Sequence, residues 1–257
     1  MDTVFELPTP TISFVTVCYQ AKEQIERTIA SVLEQSYDKI EYIIIDGCST
    51  DGTRDIIARY ADKIACFISE PDNGLYDAMN KAIAKATGDY LWFLNAGDTL
   101  YTADTVREMA NRCFANANMP DIIYGETALT DKEGGFLRMR RLKAPATLTW
   151  RSFKSGMLVS HQSFIVKRKI APMYNLRYRY SADYDWAIRG MKKAKTICNS
   201  QLTLCNYLEE GLTSQNREAS LKERYRIMAR YYGWLSTTIR HIGFAIRFWK
   251  AKRKNQL

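Results

Sequence analysis

The sequence predicts an α/β fold with a mostly parallel central sheet, flanking helices and a C-terminal helical extension. In the first half of the chain, almost continuously apolar segments alternate with amphipathic segments of helical length. This alternation is typical of βαβ units, which build parallel sheets. The apolar segments lack a polar face, as expected for strands that are covered on both sides. A basic, helix-patterned C-terminal region predicts the extension.

The predicted elements of the first half follow one another in chain order. We expect strands at residues 11–19, 40–47, 63–74 (including a turn) and 89–96. Between them, the spacing of apolar residues predicts helices at 21–37, 50–62 and 75–88. Ser49 or Thr50 is placed to cap the second helix, and Gly88 is placed to end the third.

The second half is less regular. A helix at 102–117 and a strand at 121–125 precede a hairpin arm at 133–143, which has Gly134-Gly135 at its turn. A strand at 161–171, a helix that starts near Ser181 and a strand at 196–208 follow. From Asn216 onward we expect two helices, separated near Gly233.

Polar residues cluster where three of the predicted strands end. The clusters are Asp46–Asp51, Glu70–Gly74 and Asn95–Asp98. Ligands of open parallel sheets bind beyond the carboxyl ends of the strands, so we expect the three clusters to meet at one face. The first strand is not followed by GxGxxG, and GxxxxGK[ST] is absent, which argues against an NAD enzyme and a P-loop protein.

Five side chains in or near such positions carry useful chemistry. Asp46 either caps the next helix or accepts a ring N–H of a nucleotide base. Asp98 ends the most apolar strand, and one carboxylate together with substrate phosphates is a normal way to hold Mg²⁺ or Mn²⁺. His161 is either structural or contacts a phosphate or a metal. Asp183 and Asp185 flank a helix start, where only one of them points into a cleft.

The charge distribution limits the kinds of partner. The net charge is +9, and ten Lys and Arg residues beyond Leu221 face the single acid Glu223. A basic helical tail without stacking aromatic residues on a sheet does not favour nucleic-acid binding. The tail either packs its apolar side on the domain or lies in a membrane interface. Its apolar residues for this purpose are Ile239, Ile242, Phe244, Ile246, Phe248 and Trp249.

Six cysteines and the N-terminal residues indicate the compartment. No two of the cysteines have metal-ligand or redox CxxC spacing; they are Cys18, Cys48, Cys66, Cys113, Cys198 and Cys205. The segment MDTVFELPTPT lacks the basic and apolar regions of a signal peptide. We therefore expect reduced thiols and a cytoplasmic protein.

Four segments together resemble a known family. They are residues 13–53, 69–98, HQSFIV (161–166) and SADYDW (181–186), and the resemblance extends over about residues 11–210. This combination resembles the family 2 glycosyltransferases, and most closely the bacterial branch that builds capsule, O-antigen and exopolysaccharide. The resemblance implies a GT-A fold and an inverting enzyme that moves a sugar from a nucleoside diphosphate to an acceptor with the help of Mg²⁺ or Mn²⁺.

The resemblance also implies roles for particular residues. The strand end with Thr16, Val17 and Tyr19, together with Asp46, would hold the base and ribose. Asp98 matches the last carboxylate of the DxD-type element, which binds the metal. Asp183 matches the catalytic base, and His161 lies in an element expected near the diphosphate or acceptor. The remaining expected substrate contacts are Asn73, Lys81, Asn95, Ala96 and Gly97.

The chain departs from the family pattern at two places. Asn95 and Gly97 replace two acids of the usual DxD-type element, which leaves one strong metal ligand; Asn95 still offers an amide oxygen to a metal or a ribose. Met79 stands where related sequences have a basic residue, and Lys81 is the candidate to supply that charge.

These interpretations give a domain organisation, a donor and two alternatives. We expect a glycosyltransferase domain at 1–215, with a nucleotide-sugar half at 11–125 and an acceptor half at 126–215, and a basic tail at 216–257. The donor would be UDP-, GDP- or dTDP-linked, and the acceptor a glycan or a lipid-linked glycan at the cytoplasmic face of the membrane. The alternatives are a sugar-phosphate nucleotidyltransferase, which needs a basic Gly-rich loop after the first strand, and a non-catalytic nucleotide-sugar-binding protein.

Overall fold

The computed structural model describes residues 9–115, 119–209 and 216–254, with side chains except those of Arg217 and 245–254. The strands within these residues are β1 Ile12–Cys18, β2 Ile40–Asp46, β3 Cys66–Ser69, β4 Tyr90–Phe93, β5 Thr99–Leu100, β6 Ile122–Thr130, β7 Phe136–Met139, β8 Phe164–Lys167 and β9 Ile197–Leu208. The α-helices are α1 Ile25–Leu33, α2 Thr53–Ala58, α3 Leu75–Lys85, α4 Thr105–Cys113, α5 Ala182–Lys193, α6 Arg217–Tyr232 and α7 Trp234–Lys254. Short 3₁₀ helices lie at Ala61–Lys63, Trp150–Ser155, His161–Ser163 and Arg168–Ile170.

All nine strands belong to one sheet. Its order is β3-β2-β1-β4-β8-β6-β9-β5, and β7 pairs with β6. β1 to β4 are parallel to one another, β6 and β9 share their direction, and only β5, β7 and β8 run the opposite way. The predicted α/β class, the mostly parallel sheet and the hairpin at Gly134-Gly135 are therefore confirmed.

Helices cover both faces of the sheet. Alternate residues of β1 point to opposite sides, so that Phe14 packs with α1 and α4 while Val15 and Val17 pack with α3 and α5. All seven residues of β1 are buried. This two-sided burial is the physical reason for the continuously apolar strands in the sequence.

Two predicted helix ends were wrong. α2 begins at Thr53, after Gly52. The Thr53 N–H donates to the Asp51 carboxylate at 3.0 Å, so neither Ser49 nor Thr50 caps the helix. α3 ends at Lys85, before Gly88. Position 88 requires a glycine because the backbone there runs close to β1. A Cβ added to Gly88 would lie 2.6 Å from the Ser13 hydroxyl.

The C-terminal region forms two helices separated at Gly233, as predicted. α6 packs on the domain, since Ile227 and Met228 are buried in the core. α7 exposes Trp234, Leu235, Ile239 and Ile242. The side chains beyond Phe244 that were predicted to enter a membrane interface lie outside the described residues. Within the described part of the chain, none of the helices combines the length and the apolar content that crossing a bilayer requires.

Candidate active site

The three polar clusters meet at one edge of the sheet, as the topology predicted. The N–H of Gly47 bonds the carbonyl of Cys18, and the N–H of Glu70 bonds the carbonyl of Asp46. The N–H of Ala96 bonds the carbonyl of Val17 in the same way. The ends of β1, β2, β3 and β4 are thus tied into one surface by backbone hydrogen bonds.

Asp46 lies beneath this surface. The carboxylate is buried, and one of its oxygens accepts the N–H of Ser49 at 2.9 Å and the hydroxyl of Ser69 at 2.6 Å. The Sγ of Cys18 lies 3.6 Å from the other oxygen. Asp46 therefore holds the loop after β2 in shape.

Tyr19, Gly47 and Asp72 lie close together beside Asp46, with Gly47 buried and Asp72 half-buried. Tyr19 is 66% exposed. A Cβ added to Gly47 would lie 2.6 Å from Asp72 Oδ2 and 3.2 Å from Tyr19 Cδ2. Asp72 belongs to a cluster that the sequence singled out, yet only the fold shows that it covers Gly47. An exposed aromatic ring beside a carboxylate suits a flat, N–H-bearing base.

Thr16 and Val17 support the site from inside the sheet. The Thr16 hydroxyl donates to the carbonyl of Leu94 at 2.7 Å and lies 3.0 Å from the Tyr42 hydroxyl. Both Thr16 and Val17 are buried, so their side chains do not reach the surface. Of the three residues predicted on this strand end, Tyr19 alone presents its side chain to a ligand.

The turn at 95–98 is fixed by helix α1. The Thr28 hydroxyl donates to the Asp98 carbonyl at 2.8 Å and accepts the Gly97 N–H at 3.0 Å. Gly97 has φ of 100°, and a Cβ there would lie 2.8 Å from Leu208 Cδ2. A glycine at this position is therefore a requirement of the backbone and of the approach of β9.

Asp98 is buried beneath the same turn, with 3% of its surface exposed. Burial raises its pKa to about 7, against the opposing effects of the Leu208 N–H, the Gln162 side chain and Arg27. The Leu208 N–H lies 3.0 Å from Oδ1. In the same turn, the Asn95 Oδ1 is buried and has no hydrogen-bond partner among the described residues.

These observations decide what kind of metal site the turn fits. The described residues contain no group of three or more His, Cys, Asp or Glu side chains that could hold an ion. The unpartnered amide oxygen of Asn95 and the disfavoured charge of Asp98 would both gain from a cation. The residues fit a divalent cation that is shared with donor phosphates, and they do not fit one that is held by the protein alone.

Asn73 and Lys81 shape the loop between β3 and α3. The Lys81 Nζ lies 2.8 Å from both the Pro71 carbonyl and Glu70 Oε1, so its positive charge is paired within the loop. Asn73 is exposed, and its N–H donates to Asp77 at 3.0 Å. Within the described part of the chain, the hydrogen bonds and ion pairs of these two side chains do not reach the turn of Asp98.

Asp183 and Asp185 differ in their surroundings. Asp185 is buried, with one oxygen 2.6 Å from the Arg189 Nε and the other 2.8 Å from the Tyr231 hydroxyl of α6. Asp183 is half-buried in the first turn of α5 and accepts the Tyr76 hydroxyl at 3.1 Å. Asp185 is thus occupied by the fold, and Asp183 is the carboxylate that remains accessible.

His161 lies inside an aromatic cluster. Its Nε2 is 2.6 Å from the Tyr174 hydroxyl, and its ring packs 5.1 Å from Phe93 and 5.6 Å from Trp186. Burial lowers its pKa to about 4, so the imidazole is neutral near pH 7. These contacts favour a structural role for the neutral ring, and the expected place of His161 near the diphosphate or acceptor stays a prediction.

Comparison with known proteins identifies the family. The model of the family described as "Glycosyl transferase family 2" matches residues 13–172. The chain belongs to glycosyl transferase family 2. It is therefore a glycosyltransferase, and family membership does not support the nucleotidyltransferase alternative.

Two relatives illustrate the similarity of this family 2 glycosyltransferase. It is 32% identical over 220 residues to a PGL/p-HBAD biosynthesis glycosyltransferase of Mycobacterium tuberculosis, covering 81% of this chain and 78% of that protein. It is 44% identical over 92 residues to the putative teichuronic acid biosynthesis glycosyltransferase TuaG of Bacillus subtilis, covering 35% of this chain and 36% of that protein.

Solved structures show the same GT-A fold. The chain aligns with S. aureus TarS 1-349 in complex with UDP at a TM-score of 0.65 and 16% identity, over 85% of this chain and 65% of that one. It aligns with the mannosyltransferase PcManGT from Pyrobaculum calidifontis, in complex with GDP-Man and Mn²⁺, at a TM-score of 0.62 and 16% identity, over 93% and 76%. This family 2 glycosyltransferase thus spans just under two thirds of the TarS 1-349 chain.

Proposed function

We propose that this glycosyltransferase is an inverting enzyme that moves a sugar from a nucleoside diphosphate to a hydroxyl of a glycan or lipid-linked acceptor. The observation that carries the proposal is the contrast between the two carboxylates at the start of α5. Asp185 is bonded by Arg189 and Tyr231, whereas Asp183 is accessible and oriented by Tyr76. A single accessible carboxylate suits one general base, which is what direct displacement needs.

The proposed pathway and donor class rest on similar proteins. The relatives include glycosyltransferases for PGL/p-HBAD and teichuronic acid biosynthesis. Similar folds have been solved with UDP, UDP-GlcNAc or GDP-Man. These facts support a role in bacterial surface polysaccharide or glycolipid synthesis and a UDP- or GDP-linked donor; a dTDP-linked donor stays a prediction from the sequence.

The donor nucleotide would lie over the loops after β1, β2 and β3. Tyr19 and Asp72 would contact the base, and Asp46 would maintain the loop from below. The ribose and diphosphate would extend toward the turn of Asn95, Ala96 and Gly97. Asp98 and the Asn95 amide oxygen would hold Mg²⁺ or Mn²⁺, which would supply Lewis-acid neutralisation of the diphosphate.

Asp183 would act on the acceptor. Its carboxylate takes the proton of the acceptor hydroxyl while the hydroxyl oxygen forms a bond to the anomeric carbon of the donor sugar. The bond between that carbon and the phosphate oxygen breaks, and its electron pair leaves with the nucleoside diphosphate. Attack from the side opposite the leaving group inverts the anomeric configuration. Tyr76 donates its hydroxyl to Asp183 and so keeps the carboxylate oriented.

The proposal is tested by incubating the protein with UDP-, GDP- and dTDP-linked sugars, Mn²⁺ and lipid-linked glycan acceptors. We expect one donor to give transfer, with the product linkage inverted as measured by NMR. Binding of a nucleotide sugar without release of nucleoside diphosphate in the presence of any acceptor would favour the non-catalytic alternative. Retention of the anomeric configuration would remove Asp183 as a base of direct displacement.

We further propose that the protein associates with the cytoplasmic face of a membrane through α7. Leu235, Ile239 and Ile242 follow helical spacing and are all exposed, with Arg240 beside them. Such a stripe would bring the acceptor half close to lipid-linked acceptors.

A further inference from the structure

Arg224 lies on the face of α6 that is buried against the domain. Its helical neighbours four positions before and three and four positions after it are Ser220, Ile227 and Met228. All three are buried. Residues at these spacings share one side of a helix, so the Arg224 side chain is directed into the domain.

The contacts of α6 place this side chain next to the start of α5. The Glu223 carboxylate accepts the N–H groups of Arg179, Tyr180 and Ser181 at 2.8, 2.8 and 2.9 Å. The Ser181 hydroxyl lies 2.9 Å from the Ser220 hydroxyl. α6 is therefore anchored two residues before Asp183.

Among the residues that the structure describes, Arg224 has no anionic partner, and its buried Nε has no hydrogen-bond acceptor. None of the ion pairs found among the described residues involves Arg224. Burying an N–H of a charged group without an acceptor costs free energy of folding. An anionic ligand bound to Arg224 would remove this cost.

The electrostatic surroundings show which space Arg224 faces. Burial raises the pKa of Tyr76 and of Tyr207, and Arg224 acts on both phenols in the opposite direction. The pKa of Tyr207 is raised further by Asp98 and then by Asp183. Tyr76 bonds Asp183, and Tyr207 precedes Leu208, which bonds Asp98, so Arg224 acts on one phenol beside the proposed base and on one beside the proposed metal turn.

Arg140 adds a second positive charge. Its guanidinium donates to the carbonyls of Met157 and Leu158 at 2.6 and 2.9 Å, which fixes its position. Burial lowers the pKa of Arg140, and Arg224 lowers it further. An anion bound near both guanidinium groups would offset the unfavourable effect of Arg224 on the charge of Arg140.

We propose that Arg224, with Arg140 beside it, binds the diphosphate of the donor and takes up the negative charge that the diphosphate gains as the glycosidic bond breaks. The planar guanidinium is suited to two parallel hydrogen bonds with phosphate oxygens. The inference rests on the proposed function, which supplies the diphosphate. It makes α6, which lies beyond the family-matched residues 13–172, part of the donor site.

The test compares nucleoside and nucleoside-diphosphate binding by calorimetry with Mn²⁺ present. The probes are uridine and UDP, guanosine and GDP, and thymidine and dTDP, and the variants are Arg224→Gln and the control Arg226→Gln, which changes an exposed residue of the same helix. We expect Arg224→Gln to weaken binding of the preferred diphosphate about ten- to a hundredfold, the loss of one or two charged hydrogen bonds. Nucleoside binding and the control variant should be unchanged.

Each other outcome has a defined meaning. Unchanged diphosphate affinity in Arg224→Gln overturns the inference, and a raised acceptor KM in that variant would assign the charge to an anionic acceptor. Equal weakening of nucleoside and diphosphate binding would make the role structural and also overturns it. If the wild type binds none of the three diphosphates, the proposed function fails as well. Should Arg224→Gln melt at a lower temperature, Arg224→Met takes its place in the same comparison.

Discussion

The hydroxyl of Tyr76 lies 3.1 Å from Oδ1 of Asp183, a residue 107 positions further along the chain, and so joins two helices. Tyr76 belongs to α3, in the half that carries the nucleotide loops, and Asp183 begins α5. The orientation of the proposed base is thus set by the half of the molecule that we propose binds the donor. We make four testable predictions, on the proposed base, the metal turn, acid stability and membrane binding.

Replacing Asp183 by Asn should lower kcat at least about a hundredfold, because the amide cannot accept the acceptor's proton. Donor affinity, measured by calorimetry, should be retained. Tyr76→Phe should have a smaller effect on kcat, since it removes only the hydrogen bond that orients the carboxylate. Asp185→Asn should instead lower the melting temperature, because it breaks the buried pair with Arg189. An inactive, well-folded Asp185→Asn beside an active Asp183→Asn would exchange the two assignments.

Asp98→Ala should abolish transfer while thermal unfolding remains cooperative. The carboxylate ends the turn where the diphosphate is proposed to lie, and no other Asp or Glu occurs between 90 and 103 to replace it. Turnover at saturating donor with Mn²⁺ is the measurement. Near-wild-type turnover in this variant would show that Asp98 only holds the Leu208 end of β9.

Acid should destabilise the protein partly through His161. Its pKa is about 4 in the folded protein, below the ordinary value of 6.5, because the ring is buried. The unfolded chain therefore binds a proton that the folded protein refuses, and stability falls as the pH drops from about 6.5 toward 4. Urea midpoints should decline less steeply over this range in His161→Gln than in the wild type. Equal slopes would mean that His161 has an ordinary pKa.

The exposed face of α7 should carry membrane binding. We expect the full chain to sediment with anionic liposomes at low salt and to be released at high salt. A truncation ending at Gly233 keeps α6, so it should stay folded and bind donor but remain in the supernatant. Leu235→Glu with Ile239→Glu should behave in the same way, because charges would replace the apolar stripe. Equal sedimentation of all three proteins would remove the membrane role.

The sequence was sufficient for the strands and for the meeting of the three polar clusters. Two-sided burial leaves a continuous apolar signature, and parallel strands bring their ends together. It was not sufficient for the exposure of single residues: Thr16 is hidden inside the sheet, where it contacts Leu94 and Tyr42, and Asp46 is buried where it bonds Ser49 and Ser69. β5 was missed because a two-residue strand leaves no periodicity.

Longer-range contacts explain the remaining differences. Asp183 and Asp185 have the same local sequence context, and Tyr231 of α6 distinguishes them from 46 residues away. Arg224 looked like one of many basic residues in a tail, since its burial depends on how α6 docks. The roles of the candidate site residues therefore stay predictions. The contacts indicate which of their side chains are accessible and which are used by the fold.

The bond between Leu208 and Asp98 spans 110 residues, and it affects how the molecule is made. On a ribosome, β1 to β4 emerge and can pair long before β9 exists. Until β8 arrives, the edge of β4 has no partner on that side, which exposes an apolar strand to other chains. The turn that would receive the diphosphate is completed only when residue 208 has been released from the exit tunnel. Nascent chains stalled before that point should be folded in their nucleotide half, prone to aggregate, and inactive.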